Sequence, residues 1–292
     1  MEKVRLPFEN DVSDLKEYKK QLYAKIVKSS YYNEFLKQGF SDEDIKDNLV
    51  KFDEYIEDAE FCKKIKTYED CSVFHKFDRL ILVKNGDFVE KQYVALAPYV
   101  EYLEYNNCFV QRDFPDEYID AKYLKVDKKL RGKIKEYFSA NKWIYLYGSI
   151  NSGRTYAAVS IINKKFVPEK QSIAFLDSPL ALKEICDFYF KNRNEFEELM
   201  NTYSNVDCLV LDNFGSEMKS KVLRDNILSV IFAKRIANRK MTIFTSDFAP
   251  DVLFQLYSKL KDDNNDIMSN RFIEMLKKQI INGLETSPLP IY

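Results

Sequence analysis

The apolar residues of this chain change their spacing part-way along, and the change predicts two different architectures. Over residues 11–57, Leu15, Tyr18, Leu22 and Ile26 recur at intervals of three and four, which sets them on one face of a helix. A further helix is expected to open at Ser41-Asp-Glu-Asp, where a hydroxyl and a carboxylate three residues on can cap each other's backbone N–H groups. From Arg79 the pattern shortens. Arg79-Leu-Ile-Leu-Val83, the Asn85-Gly86 pair and the alternating stretches near 92–96 and 99–110 predict a hairpin and further short strands. Phe114-Pro115 and the polar residues up to Lys128 read as a connector, and Lys129–Ala140 as a helix. Beyond it, apolar runs at 143–147, 172–176, 208–211, 241–244 and 278–281 alternate with helical segments, the pattern of an α/β domain with a mostly parallel sheet. The expected organisation is a smaller N-terminal domain over 1–111, helical over 1–57 with short strands over 78–111, followed by an α/β domain over 112–292. Ligands of such sheets gather at the carboxyl ends of the strands.

Composition narrows the chemistry. The 292 residues fit two domains of ~100–200 residues each. Lysine and arginine number 45 against 46 acidic residues, a formal charge of -1, which excludes a broad cationic surface that coats nucleic acid and confines any such contact to a local patch. No apolar run approaches the ~20 residues needed to span a bilayer. Residues 1–30 carry no charged–apolar–small leader either, so a cytoplasmic protein without membrane contact is expected. The five cysteines are odd in number and scattered, as reduced thiols are. Cys62, Cys71, His75 and Cys108 are the available zinc ligands, but they include no C-x-x-C pair and His75 is the single histidine. Buried thiols are expected there in place of a zinc site.

The most informative segment is Gly148-Ser149-Ile150-Asn151-Ser152-Gly153-Arg154-Thr155, the phosphate-binding pattern G-x-x-x-x-G-K-[ST] with arginine in place of lysine. It follows the apolar run 143–147 and precedes a helical run from Tyr156 to Asn163, the strand–loop–helix context that the pattern requires. The glycines let successive N–H groups turn inward on a phosphate at the positive end of the helix, and Thr155 is the expected Mg²⁺ ligand. Arg154 carries the lysine's charge on a wider planar fork. Nucleotide binding is expected, with hydrolysis impaired.

Two later segments accompany the loop. Val206-Asp-Cys-Leu-Val-Leu-Asp212-Asn213 is an apolar strand ending in an acid suited to Mg²⁺ or its water shell. Asn213 follows where an acid would orient the attacking water; it can hydrogen-bond a water but cannot take its proton. Thr242-Ile-Phe-Thr245-Ser246-Asp247 ends the next strand in polar groups, either as a nucleotide sensor or as a cap for a helix near Pro250.

In this order the segments resemble the AAA+ domain of bacterial replicative helicase loaders of the DnaI/DnaC type, with kinship to the initiator DnaA and to transposition ATPases of the IstB type. The resemblance covers residues 112–280. It rests on the loop 148–155, Leu211-Asp-Asn-Phe-Gly-Ser-Glu217, Ser220 with Arg224-Asp225, Thr245-Ser246-Asp247 and Ile267-Met-Ser-Asn-Arg271-Phe272. Phe114-Pro115 through Tyr123-Leu124 and the Tyr-Leu-Tyr-Gly of 145–148 also fit. It implies ATP or ADP with Mg²⁺, held by residues 148–155, Tyr156 and Asp247, with Thr155 and Asp212 on the metal side. Asp212 and Asn213 would be the catalytic pair, and Arg271 a finger reaching a neighbouring copy's site through AAA+ interfaces. The implied partners are the replicative helicase hexamer, gripped by residues 1–111, and single-stranded DNA, with Lys219, Lys221 and Arg224 as candidate contacts. An initiator would continue into a helix-turn-helix domain, whereas the sequence runs only about twenty residues past Arg271. Loaders usually carry an acidic pair at 212–213 and asparagine at 247, and a second sensor arginine has no match in 282–292. These departures leave three readings open: a loader that hydrolyses slowly, a non-hydrolysing helicase adaptor, and a transposition ATPase of the IstB type.

Overall fold

Helix α1 (Asp11–Lys28) begins the part of the chain that the computed structural model describes, residues 11–260, 267–280 and 283–286. Contacts divide the chain into two units, 1–104 and 105–292. In the smaller, α1 is followed by α2 (Tyr32–Lys37), α3 (Asp42–Asp47), α4 (Leu49–Cys62) and α5 (Tyr68–Phe74). A hairpin of β1 (Asp78–Asn85) and β2 (Phe88–Ala95) follows, and the helix α6 (Ala97–Asn106) runs through the division at 104/105. Ser41 and Asp44 form the expected reciprocal cap on α3, and Thr67 with Asp70 forms a second on α5. The hairpin turns through Gly86 and Asp87, with Gly86 at φ 62° and Asn85 opposite Phe88. Its Leu82 and Val89 join the core of Ile26, Phe35, Phe40 and Phe52, where Phe35 and Phe52 meet edge to face at 4.8 Å. The stretch 99–110, expected as strand, is mostly α6, with only 109–112 extended.

The larger unit is built on β3 (Phe109–Arg112), β4 (Ile144–Tyr147), β5 (Ile173–Asp177), β6 (Cys208–Asp212), β7 (Met241–Ser246) and β8 (Leu284–Glu285). They form one sheet in the order β3-β5-β6-β7-β4-β8, parallel at every junction. Its helices are α7 (Lys128–Ser139), α8 (Arg154–Lys165), α9 (Ser178–Lys191), α10 (Arg193–Asn205), α11 (Ser229–Ala237), α12 (Pro250–Ser258) and α13 (Ile267–Gln279). Every residue of β6 and β7 is buried, which explains continuous apolar runs where a half-exposed strand would alternate. Of the run 278–281, expected as a strand, Lys278 and Gln279 instead end α13, and Ile280 still donates to the Leu276 carbonyl at 2.7 Å. Residues 281 and 282 lie outside the described residues, and so do 287–292 of the segment examined for a second sensor.

The strand order fixes where chemistry can collect. Strand β7 lies between β4 and β6, so the carboxyl ends of β4, β7, β6 and β5 stand side by side. Among the described residues, no helix is long and apolar enough to cross a membrane.

Candidate nucleotide site

At the end of β4 the chain has little room. A Cβ on Gly148 would lie 2.6 Å from Ser152 Oγ and 2.8 and 2.9 Å from Oγ1 and O of Thr286, so only glycine fits. Asn151 and Gly153 take left-handed backbone at φ 63° and 77°, which folds the loop back on the start of α8. No side chain caps that helix; Gly153 stands at its N-terminus, and the first N–H groups are left for an anion. Ser149, Ile150 and Asn151 are exposed at the rim, while Ser152 is buried with its hydroxyl 2.7 Å from that of Thr286. Thr286 follows β8 and donates its N–H to the Tyr147 carbonyl at 2.8 Å, so the last described strand props the loop from behind.

Beneath the loop, Thr155 Oγ1 is 3.0 and 3.1 Å from the two oxygens of Asp212, the expected metal-side pair. Asp212 is buried at the end of β6 and also accepts from Thr245 Oγ1 at 2.5 Å. Thr245 in turn accepts from the Asn213 N–H at 2.9 Å, so one hydroxyl ties the two strand ends together. Burial pushes the Asp212 carboxyl above its ordinary range; the Thr245 and Thr155 hydroxyls oppose the shift, and the nearby Asp177 charge adds to it. An acid in that state, with two hydroxyl ligands aimed at it, suits a divalent cation that would restore its charge. The glycine cradle, the uncapped helix and this acid–hydroxyl pair therefore fit Mg²⁺ and a nucleotide phosphate.

Asn213 sits at φ 58°, and its Nδ2 points to Asp177 Oδ1 at 3.4 Å. Asp177 ends β5 in register with Asp212, placing a second carboxylate beside the first. Sequence reasoning passed over it, although Ile173–Leu176 ends in an acid just as Cys208–Leu211 does. Thr286 was also missed, and nothing in its local sequence marks it.

Arg154 and Asp247 meet. Nη1 of Arg154 lies 2.5 Å from Asp247 Oδ1 across the gap between α8 and the end of β7. Ser246 does not cap α12, whose N-cap is Ala249; its hydroxyl donates to the Phe214 carbonyl at 2.6 Å and accepts from the Phe248 N–H at 3.1 Å. Tyr156, next to Thr155 on α8, accepts from the Lys122 N–H at 2.9 Å through its hydroxyl. Asn163 of α8 holds the same lead-in, donating to the Ile119 and Ala121 carbonyls at 2.7 and 3.1 Å.

Other candidate residues lie apart from this cluster. Arg271 is exposed on α13, along a groove of about 750 Å³ that also takes in Asp225, Val230 and Met275. Arg224 is not available to DNA, as it is buried in a π-helical turn over 222–228. Its guanidinium grips Asp225 at 2.7 and 2.9 Å and the Leu260 carbonyl at 3.1 Å. Lys219 donates to the Gly215 and Glu217 carbonyls, and Lys221 is exposed. Cys71 is buried in the smaller unit and Cys108 in the core of the larger. Burial pushes the Cys62 thiol up to about 11, and among the described residues no group of three or more His, Cys, Asp or Glu forms a metal site.

No family model matches the chain. It is 23% identical over 286 residues to the replicative helicase loader DnaI of Bacillus subtilis (strain 168), covering 90% of both chains. To the chromosomal replication initiator protein DnaA of Mycoplasma genitalium it is 30% identical over 122 residues, 40% of this chain and 27% of that one. A crystal structure of DnaI superposes with a TM-score of 0.50 at 22% identity, over 63% of this chain and 97% of that chain. The larger unit thus has the α/β P-loop fold of AAA+ domains, and along nine-tenths of its length the chain is similar to a replicative helicase loader of the DnaI type.

Proposed function

We propose that this chain is a replicative helicase loader: its larger unit binds ATP or ADP with Mg²⁺, and its N-terminal part contacts the replicative helicase. The observation that supports this best is the meeting of Thr155, Asp212 and Thr245 under a glycine-built phosphate loop, in a chain similar to a loader over nine-tenths of its length. In this reading the N–H groups at the start of α8 would receive the β-phosphate, and Thr155 and Asp212 would hold the metal. Bound Mg²⁺ would supply charge neutralisation between the phosphates. Asn213 orients a water without accepting its proton, so turnover is slow. Nucleotide occupancy would order the larger unit and its contacts with neighbouring copies through Arg271, holding a helicase ring open for single-stranded DNA.

A pulldown with the full chain as bait, from lysate of its own cells and with or without ATP, tests this. Recovery of the replicative helicase is the expected result. Recovery of a transposase without the helicase would overturn the reading.

A further inference from the structure

One cation of the phosphate site is already occupied by an anion of the protein. The Arg154 side chain is 9% exposed, and its buried Nη1 makes no hydrogen bond, only the 2.5 Å ion pair with Asp247. In phosphate loops of this pattern the basic residue before the Ser/Thr reaches the β- and γ-phosphates. Here that reach ends on a carboxylate. The Asp247 side chain is 38% exposed. The backbone carrying it has little freedom: Ser246 is fastened to Phe214 and Phe248, and Ser246 stands opposite Tyr147 in the sheet. The acid is delivered to Arg154 by the insertion of β7 beside β4.

We propose that Asp247 is a specificity-determining residue that stands in for the terminal phosphate on Arg154, so that the resting site takes a nucleoside diphosphate in preference to a triphosphate. This rests on the nucleotide site described above. A diphosphate satisfies the loop N–H groups and leaves the Arg154–Asp247 pair intact. A triphosphate brings one more anionic group to the same guanidinium. It must displace Asp247 into water or share Arg154 with it, while Asp212 and Asp177 add further negative charge nearby. Mg²⁺ on Thr155 and Asp212 relieves part of that repulsion, so the discrimination is steepest without metal. A planar guanidinium can serve two anions at once, which a lysine ammonium does less well. Arginine at 154 and aspartate at 247 therefore make one device.

The test is equilibrium binding of ADP and of a non-hydrolysable ATP analogue to the full chain, with and without Mg²⁺, for the unaltered protein and for Asp247→Asn. The unaltered chain is expected to favour ADP by about tenfold or more without Mg²⁺, which corresponds to about 1.4 kcal/mol. Asp247→Asn keeps the shape of an accessible side chain, and its fold is checked by thermal unfolding. It is expected to cut the preference to about twofold by gaining triphosphate affinity, with ADP affinity little changed. An unaltered chain without ADP preference, or an Asp247→Asn ratio equal to that of the unaltered chain, overturns the inference while leaving the nucleotide site standing. Absence of binding by either nucleotide removes both.

Discussion

At the scale of single residues, Asp212 is placed for a ligand at the expense of the empty fold. Its carboxyl has an ordinary value of 3.8 that burial raises in the folded chain. A raised folded value means that its favourable contribution is complete below pH 3.8 and is lost as pH rises through the folded value. Asp212→Asn removes the buried charge and is expected to raise the melting temperature near neutral pH by about 2–4 °C, or about 1 kcal/mol. Melting both proteins from pH 4 to 8 should show the gap widening with pH, while the variant loses Mg²⁺-dependent nucleotide binding. A second expectation concerns the arginine of the loop. Arg154→Lys alone should leave phosphate release slow, because Asn213 still cannot take a proton from water and Asp247 still competes for the cation. Fast release by that single variant would show that the arginine alone limits turnover. Both Arg154 and Asp247 were legible in the sequence as departures, each beside its own strand. Their pairing was not, because it follows from β7 entering the sheet between β4 and β6, and that order leaves no trace in local spacing.

Among the elements, the phosphate loop was readable because glycine spacing and the flanking apolar runs answer to backbone sterics, which act locally. Its support was not readable, since Thr286 reaches the loop only through pairing of β8 with β4. Gly148→Ala would drive a methyl group into Ser152 and Thr286, so it is expected to displace that strand end and cost about 1–3 kcal/mol. Chemical denaturation measures the loss, and nucleotide binding should weaken with it. The run 278–281 misled for a physical reason: two isoleucines after Lys278-Gln279 look like a short strand, but Phe272, Leu276 and Ile280 are buried at helical spacing. Residues 99–110 misled likewise, being rich in aromatic and β-branched residues that α6 nonetheless accommodates. Arg235 of α11 is a structural cation no pattern announced. Fully buried, it donates to Tyr203 and Val206 carbonyls at 2.8 and 2.9 Å, to the Met241 carbonyl, and to Thr242 Oγ1 at 3.0 Å. Arg235→Ala would strand those acceptors and is expected to destabilise the chain by about 3–5 kcal/mol, measured by denaturant unfolding.

For the whole molecule, the two units have separate cores, the smaller around Phe35 and Phe52 and the larger around the parallel sheet. A fragment opening at Ala97, which keeps α6 intact, is therefore expected to unfold cooperatively and to bind nucleotide as the full chain does, while failing to capture the helicase. Calorimetry and a parallel pulldown check the two halves of that expectation. The order of the sheet has a consequence for the birth of the protein. Both neighbours of β4, the strand that bears the phosphate loop, come late in the chain: β7 about a hundred residues after it and β8 about forty later still. While the chain is being synthesised, this strand waits with both edges bare, and the loop it carries lacks the prop of Thr286 until residue 286 has been made. A translation product that stops before β7 would carry the whole phosphate motif in its sequence without either of the strands that flank it in the sheet.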